Sequence, residues 1–163
     1  MLTDTIEQIE SGTDLSQQKM ATMIDLIMQG VCAEDDIRAF LLALVAKGET
    51  VEEIAGAAAA MRTHMTILQS SRDDLVDTCG TGGDGSGTFN ISTAAAIVAA
   101  GSGIAVAKHG NRSITSKTGS ADVLIELGVN IEASVDVMQQ SLEEAGICFC
   151  FAPLFHPAMR HVG

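Results

Sequence analysis

Residues 80–93 read GTGGDGSGTFNIST, five glycines in fourteen positions, and run straight into the small apolar segment AAAIVAAGS. Bare backbone of this kind can approach a ligand closely and aim successive N–H groups at one point. A helix starting just behind adds unpaired amides and a partial positive charge. Asn90, Ser92 and Thr93 supply short polar side chains at that start. Together these parts suit a phosphate or a diphosphate. The stretch is not a G-x-x-x-x-G-K-[ST] loop, because no lysine follows the glycines. A G-x-G-x-x-G count from Gly80 to Gly85 leaves Gly103 and Ile104, not an acid, about twenty residues on, so a dinucleotide site is disfavoured.

A second polar stretch, KHGNRSITSKTGSAD, begins at Lys108. Lys108, Arg112 and Lys117 are cations for an anion, and Ser113, Thr115, Ser116, Thr118 and Ser120 are hydroxyl donors. Gly119 and Ser120 open another helix pattern, a second place where an anion could sit. His109 is either a general base or a residue that shapes a pocket, since no acid lies beside it in sequence to orient it. Asn111 reads as a hydrogen-bonding group. Charge distribution supports an anion site. The chain carries a formal −12, yet the window between Asp84 and Asp122 holds three cations and no acid, so the remainder carries −15. Two anion-binding loops imply a substrate with separated phosphates. Asp84 and the Ser92 hydroxyl are candidate ligands for a metal beside them.

The elements that must hold these loops fall into two groups. Residues 1–70 read as a helical domain: a short helix closed by Gly12, then one capped by Ser16 with Met20, Met23, Ile24, Ile27 and Met28 at helical spacing. A third over about 33–47 carries the stripe Ile37, Phe40, Leu41 and Leu44, and a fourth after Thr50 and Glu53, which match a capping box, runs to Leu68. Residues 71–163 change pattern. LVDTC, GIAVAK and ICFCFAPLF predict three strands, separated by a helix over about 92–100, a helix ADVLIELG and a Ser134-capped helix VDVMQQSLEEAG. Strand, helix, strand, helix, helix, strand implies an α/β domain with parallel strands and crossover helices. Ligands bind beyond the carboxyl ends of such strands, so loops 79–91 and 108–120 should face one cleft.

Composition excludes several classes. A chain that is 47% hydrophobic and 18% charged is not disordered, and −12 opposes a nucleic-acid-coating role. No apolar run approaches a membrane span and the N-terminus lacks a signal-peptide pattern, which points to a cytoplasmic protein. Cys32, Cys79, Cys148 and Cys150 form no C-x-x-C pair and read as reduced thiols; Cys148 and Cys150 share one face of a strand.

GTGGDGSGTFNIST, KHGNRSITSKTGSADVLIELG and FAPLFHPAMRHV together closely resemble the anthranilate phosphoribosyltransferases, and the resemblance extends over the whole chain. It implies a helical domain on a nucleoside phosphorylase-like α/β domain, usually in a homodimer. The implied reaction transfers the phosphoribosyl group of 5-phosphoribosyl 1-pyrophosphate to anthranilate, in tryptophan biosynthesis, with Mg²⁺. Carried over by motif, Gly80, Gly83, Asp84, Thr88, Asn90, Ile91, Ser92 and Thr93 would contact the phosphoribosyl pyrophosphate, with Ser92 also a Mg²⁺ ligand. Lys108, His109, Gly110, Asn111, Arg112, Ser113, Ile114, Thr115, Ser116 and Ser120 would complete that site. Gly80 and Asn111 would touch anthranilate, and His109 would line its entry path. No catalytic acid or base is implied. A pyrimidine nucleoside phosphorylase is the nearest alternative, but it carries Lys, His and Ser ahead of TGG where this chain has DTCGTGG. A non-catalytic, nucleic-acid-binding relative is the other.

The family's chains continue past RHVG with Pro-Val-Arg, an arginine for the anthranilate carboxylate, and a later Asp-Glu pair for Mg²⁺. The expectation is an N-terminal fragment with negligible activity. Loss of anthranilate fluorescence in the presence of 5-phosphoribosyl 1-pyrophosphate and Mg²⁺ should therefore be undetectable with the purified 163-residue chain; measurable turnover contradicts it.

Overall fold

Capping residues mark where the chain enters its helices. Ser16, Thr50 and Ser134 each accept the amide three residues on, from Lys19 at 3.2 Å, Glu53 at 3.3 Å and Val137 at 3.4 Å. The structure, a computed structural model, describes residues 2–80, 88–113 and 118–162. Its helices are α1 (Leu2–Glu10), α2 (Gln17–Met28), α3 (Glu34–Lys47), α4 (Val51–Thr63), α5 (Ile91–Gly101), α6 (Ser120–Glu126), α7 (Val135–Ala145) and the single turn α8 (Ala152–Phe155). The strands are β1 (Val106–Gly110) and β2 (Ile147–Phe151), and a 3-10 turn covers Pro157–His161. The chain forms two compact units, Met1–Thr66 with His156–Gly163, and Ile67–Phe155. The final residues therefore pack with the helices rather than with the second domain. Ala158 and Val162 lie against the helical core.

In the helical unit the apolar stripes meet as their spacing requires. Ile9, Met20, Ile27 and Phe40 are all but fully buried, and the methionines fill core space. Gly56 lets α4 lie close on α2, since a Cβ there would strike the Gln17 carbonyl and sit 3.0 Å from Met20 Cβ. Two expectations change. Leu41 is 36% exposed while Ala43 is buried, so the α3 stripe turns toward Ala43. α4 ends at Thr63, not Leu68, where the His64 ring is drawn to Asp25 of α2 at 2.6 Å.

The capping box of α4 doubles as the unit's buried ion site. Glu53, with no solvent exposure, accepts the Leu15 amide at 2.8 Å, the Thr50 amide at 2.8 Å and the Lys47 ammonium at 2.9 Å. Lys47 also bridges to Asp14 at 2.8 Å. Burial alone would raise the Glu53 pKa, but the two amides and the Lys47 ammonium outweigh it and hold the carboxyl below its ordinary range. The Asp14 and Glu53 hydrogen bonds push Lys47 up.

The second unit is built on β1. β2 pairs with it in parallel, Val106 opposite Ile147 through Gly110 opposite Phe151. On the other side Val76 makes an isolated parallel bridge to Val106, its N–H donating to Ala105 O at 2.9 Å and its carbonyl accepting from Ala107 N at 3.0 Å. The strand expected over LVDTC shrinks to this bridge. In an extended pairing the His109 amide would reach the Thr78 carbonyl; it donates instead to Asp77 Oδ1 at 3.2 Å, so a side chain ends the ladder. GIAVAK starts late, at Val106, and its strand takes in His109 and Gly110, which the sequence pattern assigns to the loop. ICFCFAPLF is strand only to Phe151 and turns into α8. α6 and α7 form the crossover from β1 to β2. α5 leads into β1, burying Thr93 and Ala96 while Ile97 and Val98 stay 46% and 69% exposed.

Replacing Glu53 by Ala leaves the Leu15 and Thr50 amides without their acceptor and removes one of the two carboxylates on Lys47, and should cost about 3 kcal/mol in urea unfolding. The pH dependence has a definite sign. Glu53, lowered when folded, contributes fully above its ordinary 4.5, and the contribution is lost as pH falls through the folded value. Lys47, raised, contributes fully below 10.5 and loses it as pH rises through its higher folded value. Urea midpoints of the wild type should fall at both extremes, with the acid limb flattened in Glu53→Ala.

Candidate functional site

Asn90 starts α5. Its Oδ1 accepts the Thr93 amide at 3.0 Å and the Ser92 hydroxyl at 3.0 Å, so one cap orients both the helix end and the Ser92 side chain. The Ser92 carbonyl accepts Thr78 Oγ1 at 2.8 Å, which ties the helix start to the segment after Val76. From β1, Lys108 extends its ammonium to 3.3 Å from Ser92 Oγ. Lys108 is 2% exposed. Burial pushes its pKa down, and the charges of Asp77 and Cys79 partly oppose the shift. A buried ammonium thus stands at the positive end of an eleven-residue helix.

Asp77 joins the two polar loops at their roots. Its Oδ1 accepts the Cys79 amide at 2.9 Å as well as the His109 amide at 3.2 Å. Asp77 had not been picked out from the sequence; a short acid two residues ahead of a loop amide is the signal that could have found it. His109 Nδ1 lies 3.9 Å from Cys79 Sγ. Gly110 is required by space: a Cβ would run into Ser120 Oγ and come within 2.8 Å of the Phe149 ring. Ser120 is buried beneath that strand end.

Beyond Gly110 the second loop is tied back on itself. The Asn111 carbonyl accepts the Ala121 amide at 3.2 Å, and its side-chain oxygen accepts the Arg112 amide at 2.8 Å. Asp122 accepts Ser113 N at 3.0 Å and Gly119 N at 2.8 Å. Those amides, Gly119 first, hold the Asp122 carboxyl below its usual range. At the start of α6, expected to be a second anion end, the Gly119 amide goes to Asp122 and the Ala121 amide to the Asn111 carbonyl. Arg112 lies 3.8 Å from Glu132, with both side chains largely exposed, a pair of little strength. A groove of about 500 Å³ beside Arg112 is lined by Asp122 and Glu126 and does not suit an anion.

Of the expected site residues, the structure brings together Asn90, Ser92, Thr93 and Lys108, with His109 and Gly110 completing the strand end. Thr93 Oγ1 is buried with no hydrogen-bond partner among the described residues. Gly80, Thr88, Ile91 and Asn111 are exposed near these elements. Gly83, Asp84, Ile114, Thr115 and Ser116 lie outside the described residues, as does Lys117. A magnesium ion was expected at Ser92. The Ser92 proton goes to Asn90 and one lone pair faces Lys108, which leaves the second lone pair for a ligand. That fits one position in a shell filled mainly by phosphate oxygens and water, as Mg²⁺ prefers. No group of three His, Cys, Asp or Glu able to hold a metal occurs among the described residues.

A helical unit and a parallel α/β unit with a buried ammonium at a helix start define a class, and the family comparisons agree. The glycosyl transferase family's helical bundle domain matches residues 3–65 and its a/b domain matches 72–163; the chain belongs to this family. Within it the similar curated proteins are anthranilate phosphoribosyltransferases. That of Rhodopirellula baltica is 57% identical over 98% of this chain and 46% of its own length, and that of Desulfatibacillum aliphaticivorans is 53% identical over 98% and 47%. The chain spans about half the length of the curated relatives it matches. Among solved structures, the Thermus thermophilus enzyme superposes with a TM-score of 0.88 at 44% identity, over 98% of this chain and 49% of that one. The Saccharomyces cerevisiae enzyme in complex with PRPP and Mg gives 0.87 at 30%, over 99% and 49%. Among the described residues no helix is long and apolar enough to cross a membrane.

Replacing Asn90 by Ala should cost about 1 kcal/mol of stability. Amide exchange at Thr93 should rise while exchange in α7 is unchanged; equal protection at Thr93 removes the cap from this account.

Proposed function

We propose that this chain carries the phosphoribosyl-pyrophosphate-binding part of an anthranilate phosphoribosyltransferase. The observation behind this reading is the buried Lys108 ammonium set against Ser92 at the start of α5. Two positive features meet there, and a diphosphate would neutralise both.

Such a site matches the reaction. Expelling pyrophosphate from the sugar carbon builds positive charge on the ribose and negative charge on the leaving group. Lys108, the α5 amides and the Ser92 hydroxyl are already fixed where that negative charge grows, so they need no reorganisation as it forms. Mg²⁺, arriving with the diphosphate, would add neutralising charge, and Ser92 would supply one oxygen to it. The anthranilate amine is neutral and needs placing rather than deprotonating. Gly80 and Asn111 are the residues we assign to anthranilate, and His109 to its approach. The yeast relative solved with PRPP and Mg supports the substrate and ion assignments. The reading extends to a cytoplasmic homodimer, for which the exposed Leu42 and Val45 of α3 offer apolar surface.

Calorimetric titration of this chain with inorganic pyrophosphate tests the reading. Lys108→Met should weaken binding at least about tenfold, a loss of about 1.4 kcal/mol. Ser92→Ala should weaken it less without Mg²⁺ than with it. Equal affinity in wild type and Lys108→Met refutes the assignment.

A further inference from the structure

A second cluster of reactive groups lies in the α/β unit, away from the Lys108 ammonium. Cys148 and Cys150 alternate onto one face of β2, opposite Ala107 and His109 of β1 in the ladder. Their sulfurs are 3.9 Å apart, and the residues are only 5% and 6% exposed. Both are free thiols. The wall around them is apolar, formed by Met138, Leu142 and Phe155. We propose that this pair is a two-thiol chelating site for a trivalent organoarsenical, a function separate from phosphoribosyl binding.

The geometry selects this chemistry over its neighbours. A disulfide requires sulfurs about 2.05 Å apart, and the two cysteines are held apart by a strand whose ladder to β1 is continuous. A bridging atom needs no such closure, since it bonds to both sulfurs from between them. Zinc would require four ligands, and no third His, Cys, Asp or Glu joins the pair among the described residues. Charge decides the rest. Both sulfurs are buried behind an apolar wall, which disfavours any product with a net charge. An organoarsenic(III) oxide meets that condition. The arsenic–oxygen bond breaks and two arsenic–sulfur bonds form. Both thiol protons leave on the oxygen as one water, and arsenic stays trivalent throughout. The product is neutral and fits an apolar wall.

Phenylarsine oxide is the probe. Incubated with the folded 163-residue protein and examined by native mass spectrometry, it should give one adduct per chain. Alkylation after removal of free arsenical and denaturation, followed by peptide mapping, should then find Cys148 and Cys150 protected and Cys32 and Cys79 labelled, with all four labelled when the arsenical is omitted. Excess 2,3-dimercaptopropanol should reverse the adduct and excess 2-mercaptoethanol should not, because only a dithiol matches a chelate. Cys148→Ala and Cys150→Ala should each abolish the stable adduct, and Cys79→Ser should keep it. Should either alanine variant misfold, the mapping on wild type decides. Absence of an adduct, protection of Cys32 or Cys79 in place of the pair, or reversal by the monothiol overturns the proposal. Failure of pyrophosphate binding would leave these readouts unchanged, so the two assignments are separable.

Discussion

One carboxylate oxygen organises the candidate site. Asp77 Oδ1 takes the amides of Cys79 and His109, and in doing so stops the pairing of the Val76 segment with β1 after a single bridge. Had the ladder continued, the His109 amide would belong to the sheet and the two loops would leave from a longer, flatter edge. With the ladder cut, the chain departs from β1 directly beside the start of α5. Lys108 then reaches Ser92 across a gap of 3.3 Å. The approach of Lys108 to Ser92 follows from a side chain that outcompeted a backbone carbonyl.

The same principle, a carboxylate occupying backbone donors, operates at two helix entrances with different consequences. Glu53 satisfies the entrance to α4 and anchors Lys47, and the result is structural. Asp122 accepts the Gly119 amide at the entrance to α6 and the Ser113 amide of the preceding loop, which ties the loop to the helix. At α5 the cap is Asn90, a neutral group. A carboxylate there would have cancelled the helix end's positive charge; an amide satisfies Thr93 and leaves that charge to act on a ligand. The start of α5 carries no acid in its first turn, and it is the start that Lys108 reaches.

Much of the fold was legible because its signals are local. Ser16, Thr50 with Glu53, and Ser134 mark helix entrances through contacts spanning three residues, and the structure uses each of them. The i, i+3, i+4 spacing of Met20, Met23, Ile24 and Ile27 likewise identifies a buried face. The misplaced features depend on distant partners. α4 stops where Asp25 of α2 captures His64. Leu41 yields its place to Ala43 because the rotation of α3 is set by what it packs on. LVDTC has strand composition, but Asp77 is an alternative acceptor whose partner is thirty-two residues away.

Taken alone, the amino-acid sequence determined the donor inventory: a glycine-rich loop ahead of a helix, a window with three cations and no acids, and the residue types at each position. It also determined the parallel α/β order, since the alternation of apolar runs and capped helices allows few other arrangements. The tertiary structure decided which donors are available. It buried Lys108 against Ser92, gave the Gly119 amide to Asp122, and put two thiols 3.9 Å apart behind an apolar wall. Availability depends on which groups compete for each hydrogen bond, and that competition is settled between segments remote in the chain. Residue type states what a group can do; only packing states whether another group has already claimed it.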